Sequence, residues 1–165
     1  MNTKNLLQYS LFEGFEEKEI KKFIEVIKIK HYKKNEIIIK ENETGDSIML
    51  LLDGTVSITK ALTIKMNKLQ KREKEFIKLN SDQHPFFGEI SIFNNNHRTA
   101  TIKAETDCEI GILYNKDLVK MCQDDHEIGY KAMKNISKKL IDDLLVTNEQ
   151  VLKLTTAFSL ILDKK

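Results

Sequence analysis

From residue 29 to residue 114 the apolar residues of this chain come only in short stretches, interrupted every few positions by turn formers. That pattern constrains the fold more than any other feature, because it predicts many short strands in place of long helices. The stretches 29–33, 36–40 and 55–60 are rich in isoleucine, valine and threonine, as is a run that ends at Leu52. Between them stand Lys34-Asn35, Glu43-Thr44-Gly45-Asp46 and Asp53-Gly54. Asn35 can take a positive φ in a turn, and Asp-Gly is a strong hairpin signal. Val56 and Ile58 alternate with Thr55, Ser57 and Thr59, as a half-buried strand requires. Ala100, Ile102 and Ala104 share one face, and so do Ile110 and Ile112. Strands of this length and spacing predict a closed or sandwiched antiparallel sheet of the jelly-roll kind.

Helices flank this region. In 16–28 the residues Ile20, Phe23, Ile24 and Ile27 fall at i, i+3, i+4 and i+7, with Glu16, Glu17 and Glu19 in the first turn. After Tyr114, Asn115 reads as the cap of a short helix over 116–122. Asp124-Asp125 can cap a long helix that runs to about residue 162. In that helix Met133, Ser137, Leu140, Leu144, Thr147, Val151, Leu154, Phe158 and Ile161 follow alternating steps of four and three. A helix of nearly 40 residues spans about 55 Å and overshoots one small barrel. Its seam therefore predicts a partner, either a second copy in a parallel dimer or the chain's own barrel.

Composition narrows the function. Lys+Arg is 27 against Asp+Glu 25, a balance that does not argue for nucleic acid or a membrane surface. The longest unbroken apolar run is 48–52, far below a membrane span, and the first residues lack the apolar stretch of a signal peptide. Cys108 and Cys122 provide neither a disulfide framework nor a zinc quartet. His31, His84, His97 and His126 are scattered without metal-ligand spacing. The expectation is a cytoplasmic protein with no metal and no catalytic constellation, hence not an enzyme. The lysine-rich segment 65–78 reads as a solvated hairpin tip.

Chemistry concentrates in 86–101. Gly88 lets backbone approach a ligand, and the free N–H groups of a helical turn just after it point at that spot. Glu89 adds a carboxylate that can accept hydroxyl hydrogen bonds. The chain has 25 lysines and only two arginines, Arg72 and Arg98, so an arginine here argues for geometry rather than charge. A guanidinium fork binds a phosphate by two bonds, which an ammonium cannot do. The set would hold an anion beside a hydroxylated group. A plain Glu89–Arg98 surface salt bridge is the alternative.

These residues resemble the phosphate-binding cassette of the cyclic nucleotide-binding domain family. Phe87-Gly88-Glu89-Ile90-Ser91-Ile92 and Arg98-Thr99-Ala100-Thr101-Ile102 stand in the family's order. Upstream, Glu41, Glu43, Gly45, Asp46, Met49, Leu51, Gly54 and Val56 match its second signature. The resemblance covers roughly residues 10–160. It implies that Gly88 and the N–H groups of Ile90 and Ser91 hold the cyclic phosphate, with Phe87 leading into the turn. It implies further that Glu89 accepts the ribose 2′-hydroxyl, that Arg98 pairs with a phosphate oxygen, and that the Thr99 hydroxyl and Ala100 N–H add contacts. One departure stands before the cassette: 79–87 is two residues longer than the family's pattern and lacks its glycine, and Pro85 stiffens the turn. The loop 94–96 is polar and free of proline.

The implied fold is α+β, an antiparallel β jelly-roll barrel flanked by an N-terminal helix and a long C-terminal dimerisation helix. Residues 1–125 would form the β-roll with its helix and cassette, and 126–165 the helix that serves as lid and dimer seam. The implied function is a regulatory sensor of cAMP, or of cGMP, working by movement of the C-terminal helix, with a homodimer and a separate effector protein. The competing reading is a protein-interaction domain of the same fold that has lost nucleotide binding. Family members that read DNA carry a helix-turn-helix after the long helix; here the sequence ends at Lys165, so no direct DNA binding is expected. Val146–Val151 resembles the stretch that contacts adenine in such proteins, which assigns the base cap to Thr147 and Asn148. Gap-free counting from Arg98 places the cap at Asp143 instead.

Overall fold

The computed structural model describes residues 2–61, 73–93 and 97–162. The basic residues Lys65, Lys68, Lys71 and Arg72 of the expected hairpin tip, and the cassette loop 94–96, lie outside the described residues.

Two four-stranded antiparallel sheets form the roll. One holds β1 (Lys28–Tyr32), β8 (Cys108–Tyr114), β3 (Ser47–Asp53) and β6 (Phe86–Phe87), in that order. The other holds β2 (Ile37–Ile39), β7 (Thr101–Ala104), β4 (Thr55–Ala61) and β5 (Glu73–Asn80). This is the jelly-roll arrangement that the spacing predicts.

β3 explains the one unbroken apolar run. Successive strand residues face opposite ways, and both faces of β3 are covered. Ile48 and Leu50 join a core with the helices, whereas Met49 and Leu51 line the interior of the roll. The same fact corrects the hairpin reading of Asp53-Gly54. β3 pairs with β8 and β6, and β4 pairs with β5 and β7, so the turn carries the chain from one sheet to the other. Gly54 takes φ 94°, and a Cβ there would collide with the Asp107 carbonyl. Turn chemistry specified the reversal. It did not specify the pairing, because a strand buried on both faces and paired on both edges leaves its successor no edge to join. Asn35 takes φ 73° as expected, at another crossing between the sheets.

The helical layer packs against the outer face of the first sheet. α1 (Thr3–Leu6), a 3-10 turn at Ser10–Phe12 and α2 (Glu17–Val26) place Leu6, Phe12, Ile20 and Phe23 in one core with Ile48, Leu50 and Leu113. α2 opens with a capping box in which the Glu16 N–H donates to Glu19 Oε2 at 2.7 Å. It ends before the expected residue 28, because Ile27 turns extended and Lys28 begins β1. α4 (Asn115–Asp124) begins one residue earlier than expected and has Tyr114 at its cap position. Asn115 is therefore not the cap. β8 runs extended up to Tyr114, and the Asn115 N–H donates to the Asp46 carbonyl at 2.7 Å.

α5 (His126–Leu162) is the long helix. Asp125 Oδ1 accepts from the Glu127 and Ile128 N–H groups at 3.2 and 3.3 Å, as its expected cap. Ile128, Ala132 and Ile136 are buried in the helical core, and Met133 and Leu140 pack against it. From residue 141 to residue 162 every position is exposed, so the second half of the helix does not return to its own roll. Polar ties hold the first half down. The Asn135 amide donates to the Leu11 and Glu13 carbonyls at 2.9 Å each, and Lys131 pairs with buried Glu19 at 2.9 Å. Removing Asn135 leaves two carbonyls unpaired at a buried position. Asn135→Ala should lower the unfolding free energy by about 2 kcal/mol, read from the denaturant midpoint with an unchanged slope.

Candidate ligand-binding site

The site is built where β6 ends. Pairing of Phe86 with Leu50 and of Phe87 with Met49 fixes both phenylalanines, and Phe87 is buried in the roll interior. Gly88 follows at φ 87°, and a single helical turn, α3 (Ile90–Phe93), begins two residues later. Ahead of β6 the glycine missing from the pattern has no direct substitute in Pro85. His84 takes the left-handed conformation at φ 48°, closing a 3-10 turn over Ser81–Gln83, with its ring edge-on to Tyr9.

Arg98 reaches the centre of this turn. It is only 6% exposed, and Nη1 donates to the Ser47 carbonyl at 2.9 Å and to the Gly88 carbonyl and Ser91 Oγ at 3.1 Å each. Nη2 donates to Ser47 Oγ at 3.0 Å. Gly45 is required beneath it, since a Cβ there would run into the guanidinium. Burial pulls the guanidinium below its ordinary range, and the carboxylates of Asp46 and Glu89 oppose that pull. A cavity of about 250 Å³ opens beside Arg98, with Tyr32, Ile39, Met49 and Tyr114 among its lining residues.

The surface salt bridge between Glu89 and Arg98 does not form. Both residues are buried, and Glu89 Oε1 is paired with Lys139 Nζ of α5 at 2.7 Å. Lys139 also holds Asp143 at 2.6 Å and lies 5.5 Å from the centroid of the Phe86 ring. Burial alone would push the Lys139 ammonium down, but the two carboxylates outweigh it and hold the ammonium above the usual lysine range.

Of the residues singled out in the sequence, Gly88, Glu89, Ser91 and Arg98 come together. Ser91 Oγ donates to the Gly88 carbonyl at 2.7 Å, and the Ser91 N–H is spent on the same carbonyl at 3.2 Å. Ile90 projects outward at 38% exposure, and Thr99 and Ala100 are half-buried just before β7. Thr147 and Asn148 are not brought to the cassette. Both are exposed, and Thr147 Oγ1 donates to the Asp143 carbonyl of its own helix at 2.8 Å. Two residues of the site escaped the sequence reading, Ser47 and Lys139. Ser47 directly follows the Gly45-Asp46 signature, which is a usable local signal. For Lys139 the available local signal is its i,i+4 spacing to Asp143, which by itself specifies a helix surface pair and nothing more. Among the described residues no group of three or more His, Cys, Asp or Glu is placed to hold a metal ion.

Comparison with known proteins bears on the family and the fold. The family model for the cyclic nucleotide-binding domain matches residues 29–125. The chain is 25% identical over 101 residues to a cAMP-dependent protein kinase regulatory subunit of Mycosarcoma maydis, covering 61% of this chain and 18% of that one. It is 29% identical over 100 residues to the cGMP-dependent protein kinase egl-4 of Caenorhabditis elegans, covering 61% and 12%. It thus spans less than a fifth of the length of these curated relatives. In fold it is similar to a cyclic nucleotide-binding domain from Methylobacillus flagellatus, with a TM-score of 0.76 at 17% identity over 90% of this chain and 79% of the other.

Proposed function

Because the chain belongs to the cyclic nucleotide-binding domain family, we propose that it is a regulatory sensor that binds cAMP, with cGMP as the alternative ligand, and answers by movement of α5. One observation carries the proposal. A guanidinium fork and a buried carboxylate, nine positions apart in sequence, meet on the single turn that follows Gly88. A cyclic nucleotide presents a phosphate anion beside a ribose hydroxyl, which is the pairing this turn can bind. Gly88, Ser91 and Arg98 would take the phosphate, with the Ile90 amide, Thr99 and Ala100 around it, and Glu89 the 2′-hydroxyl. The phosphate would take over Nη donors now spent on Gly88 and Ser91, which loosens α3 and draws it toward the ligand. Ile92 of α3 and Leu140 of α5 pack against the same helical core, so a shift of α3 is felt by α5.

The relatives include both a cAMP-dependent and a cGMP-dependent kinase protein, and we favour cAMP. The base cap is assigned to Thr147 and Asn148, with Asp143 as the competing position. Thr147 and Asn148 meet the base only if α5 bends or a partner's helix delivers them. That requirement fits a homodimer in which residues 126–165 are both lid and seam. The sensor would act on a separate effector protein in the cytoplasm, a setting that suits its two free thiols.

The competing reading, an interaction domain that no longer binds nucleotide, also has an observation in its favour: Ser47, Gly88 and Ser91 already engage Nη1 of Arg98, and Ser47 Oγ engages Nη2. Thermal melts with cAMP, cGMP and non-cyclic 5′-AMP separate the two. A cyclic nucleotide at a hundred times its dissociation constant should stabilise the protein by about 2.7 kcal/mol, and 5′-AMP should not. Melts unmoved by millimolar cAMP and cGMP would return the domain to the interaction class.

A further inference from the structure

The ladder between β3 and β6 ends at a proline. Met49 stands opposite Phe87 and Leu50 opposite Phe86, so the next pair in register is Leu51 with Pro85. In a hydrogen-bonded antiparallel pair each residue donates its N–H to the carbonyl of the other. Half of that exchange is made, since the Leu51 N–H donates to the Pro85 carbonyl at 3.1 Å. The other half is chemically closed, because proline has no N–H. The carbonyl of fully buried Leu51 would then lack a donor, at a cost. The Tyr9 hydroxyl takes that place and donates to it at 2.7 Å, from 42 positions away in sequence.

We propose that Tyr9 is a positioning residue of the ligand site, whose hydroxyl supplies the bond that Pro85 cannot and so holds the strand that delivers Phe87, Gly88 and Glu89. Tyr9 is itself firmly placed. It is buried in one core with Leu6, Phe12 and Phe86. Burial, with the Glu109 carboxylate adding to it, pushes the phenol up to about 12, so the hydroxyl keeps the proton that it donates. Its ring meets the His84 ring edge-on at 5.3 Å. His84 directly precedes Pro85 and stands in the left-handed region, which a residue with a side chain rarely adopts. Tyr9 thus braces the chain on both sides of Pro85, at the turn through its ring and at the ladder through its hydroxyl. Gly88 and Glu89 follow three and four residues after Pro85. A slip of the ladder there moves both the carbonyl that Arg98 grips and the carboxylate beside it. Without the hydroxyl, the Leu51 carbonyl finds a donor only if the end of β6 shifts to admit water, and the fraction of molecules with the cassette in place falls.

The identity of the ligand rests on the cyclic nucleotide reading given above; the replacement of one donor by another does not. The experiment uses the full chain with Tyr9→Phe, which keeps the ring and removes the hydroxyl. A second variant combines Tyr9→Phe with Pro85→Ala, which puts an N–H back opposite the Leu51 carbonyl. Calorimetry reads cAMP affinity, and amide hydrogen exchange without ligand reads the cassette. In Tyr9→Phe the affinity should fall about tenfold, through the smaller competent fraction, and exchange over 86–92 should accelerate while 108–114 stays protected. The combined variant should return both to wild-type values. A Tyr9→Phe protein that keeps either the wild-type affinity or the wild-type exchange would overturn the proposal. So would a loss that Pro85→Ala leaves in place, since the tyrosine would then act by packing alone. If Tyr9→Phe by itself does not fold, the combined variant decides, because it should fold and bind as wild type does, and its failure to do so overturns the proposal. If wild-type protein binds neither cAMP nor cGMP, the cyclic nucleotide reading falls, and the exchange pattern with its rescue judges Tyr9.

Discussion

Arg98→Lys should lower cyclic nucleotide affinity about a hundredfold while charge is conserved. The reason is shape. A guanidinium can donate two parallel bonds to one phosphate, whereas an ammonium is a point charge with no fork. The structure adds a second consequence. Arg98 is buried and makes four hydrogen bonds, to Ser47, Gly88 and Ser91, so it also staples the start of β3 to the cassette. The variant should therefore melt lower than wild type but in one cooperative transition. Affinity has to be measured by calorimetry well below that transition, with the far-ultraviolet spectrum as the check on the fold. Binding within twofold of wild type would place the phosphate elsewhere. A large loss for cAMP and cGMP alike, with the fold intact, supports the cassette.

Leu144→Lys combined with Leu154→Lys should convert a dimer to a monomer, raising the dimer dissociation constant by at least about a hundredfold. Between residues 141 and 162 eleven large apolar side chains of α5 are more than half exposed. Leu144, Val151, Leu154, Phe158 and Ile161 continue the four-three spacing, and none of the described residues of the same chain covers them. A surface of that extent is costly in water, and in the homodimer proposed above a second copy of the helix would bury it with knobs-into-holes packing. Two ammonium groups in the seam would have to be desolvated opposite their own copies. Sedimentation at several concentrations is the measurement, and wild-type protein that stays monomeric at high micromolar concentration would contradict the seam. The structure also shows where the helix can be shortened. Ile136 is fully buried, and Lys138, Lys139 and Leu140 still pack on the body, so a cut at residue 135 would damage the core. Truncation after Asp143 should leave a folded monomer.

Several features could be read from the residues because their causes are local. The face of α2, the positive φ of Asn35 and the strand periods follow from side-chain spacing and backbone sterics, which act over a few residues. The cassette was legible for a similar reason. Glycine before glutamate, with a rare arginine nine positions later, is a chemical pattern as well as a spatial one. Even so, its expected donor set was only partly matched in this structure, because the Ser91 amide closes on Gly88.

What the sequence by itself determined is where the chain turns, which stretches extend or coil, and which residues have the chemistry for an anion beside a hydroxyl. Only the tertiary structure decided what those residues meet. Asp53-Gly54 looks the same in a hairpin and in a crossing between sheets. The difference lies in β3, whose two buried faces and two paired edges are settled by strands far away in the chain. Arg98 reads in the sequence as a fork for an anion; that it is also a buried staple was decided by Ser47, which lies 51 positions upstream at the start of β3. Lys139 looked like one lysine among 25. It became the counter-ion of Glu89 because the packing of α5 on the helical core sets its rotation and height against the cassette. Spacing rules report neighbours along an element; the partner of a charged side chain across 50 residues is set by how the elements pack, and that is a property of the whole core.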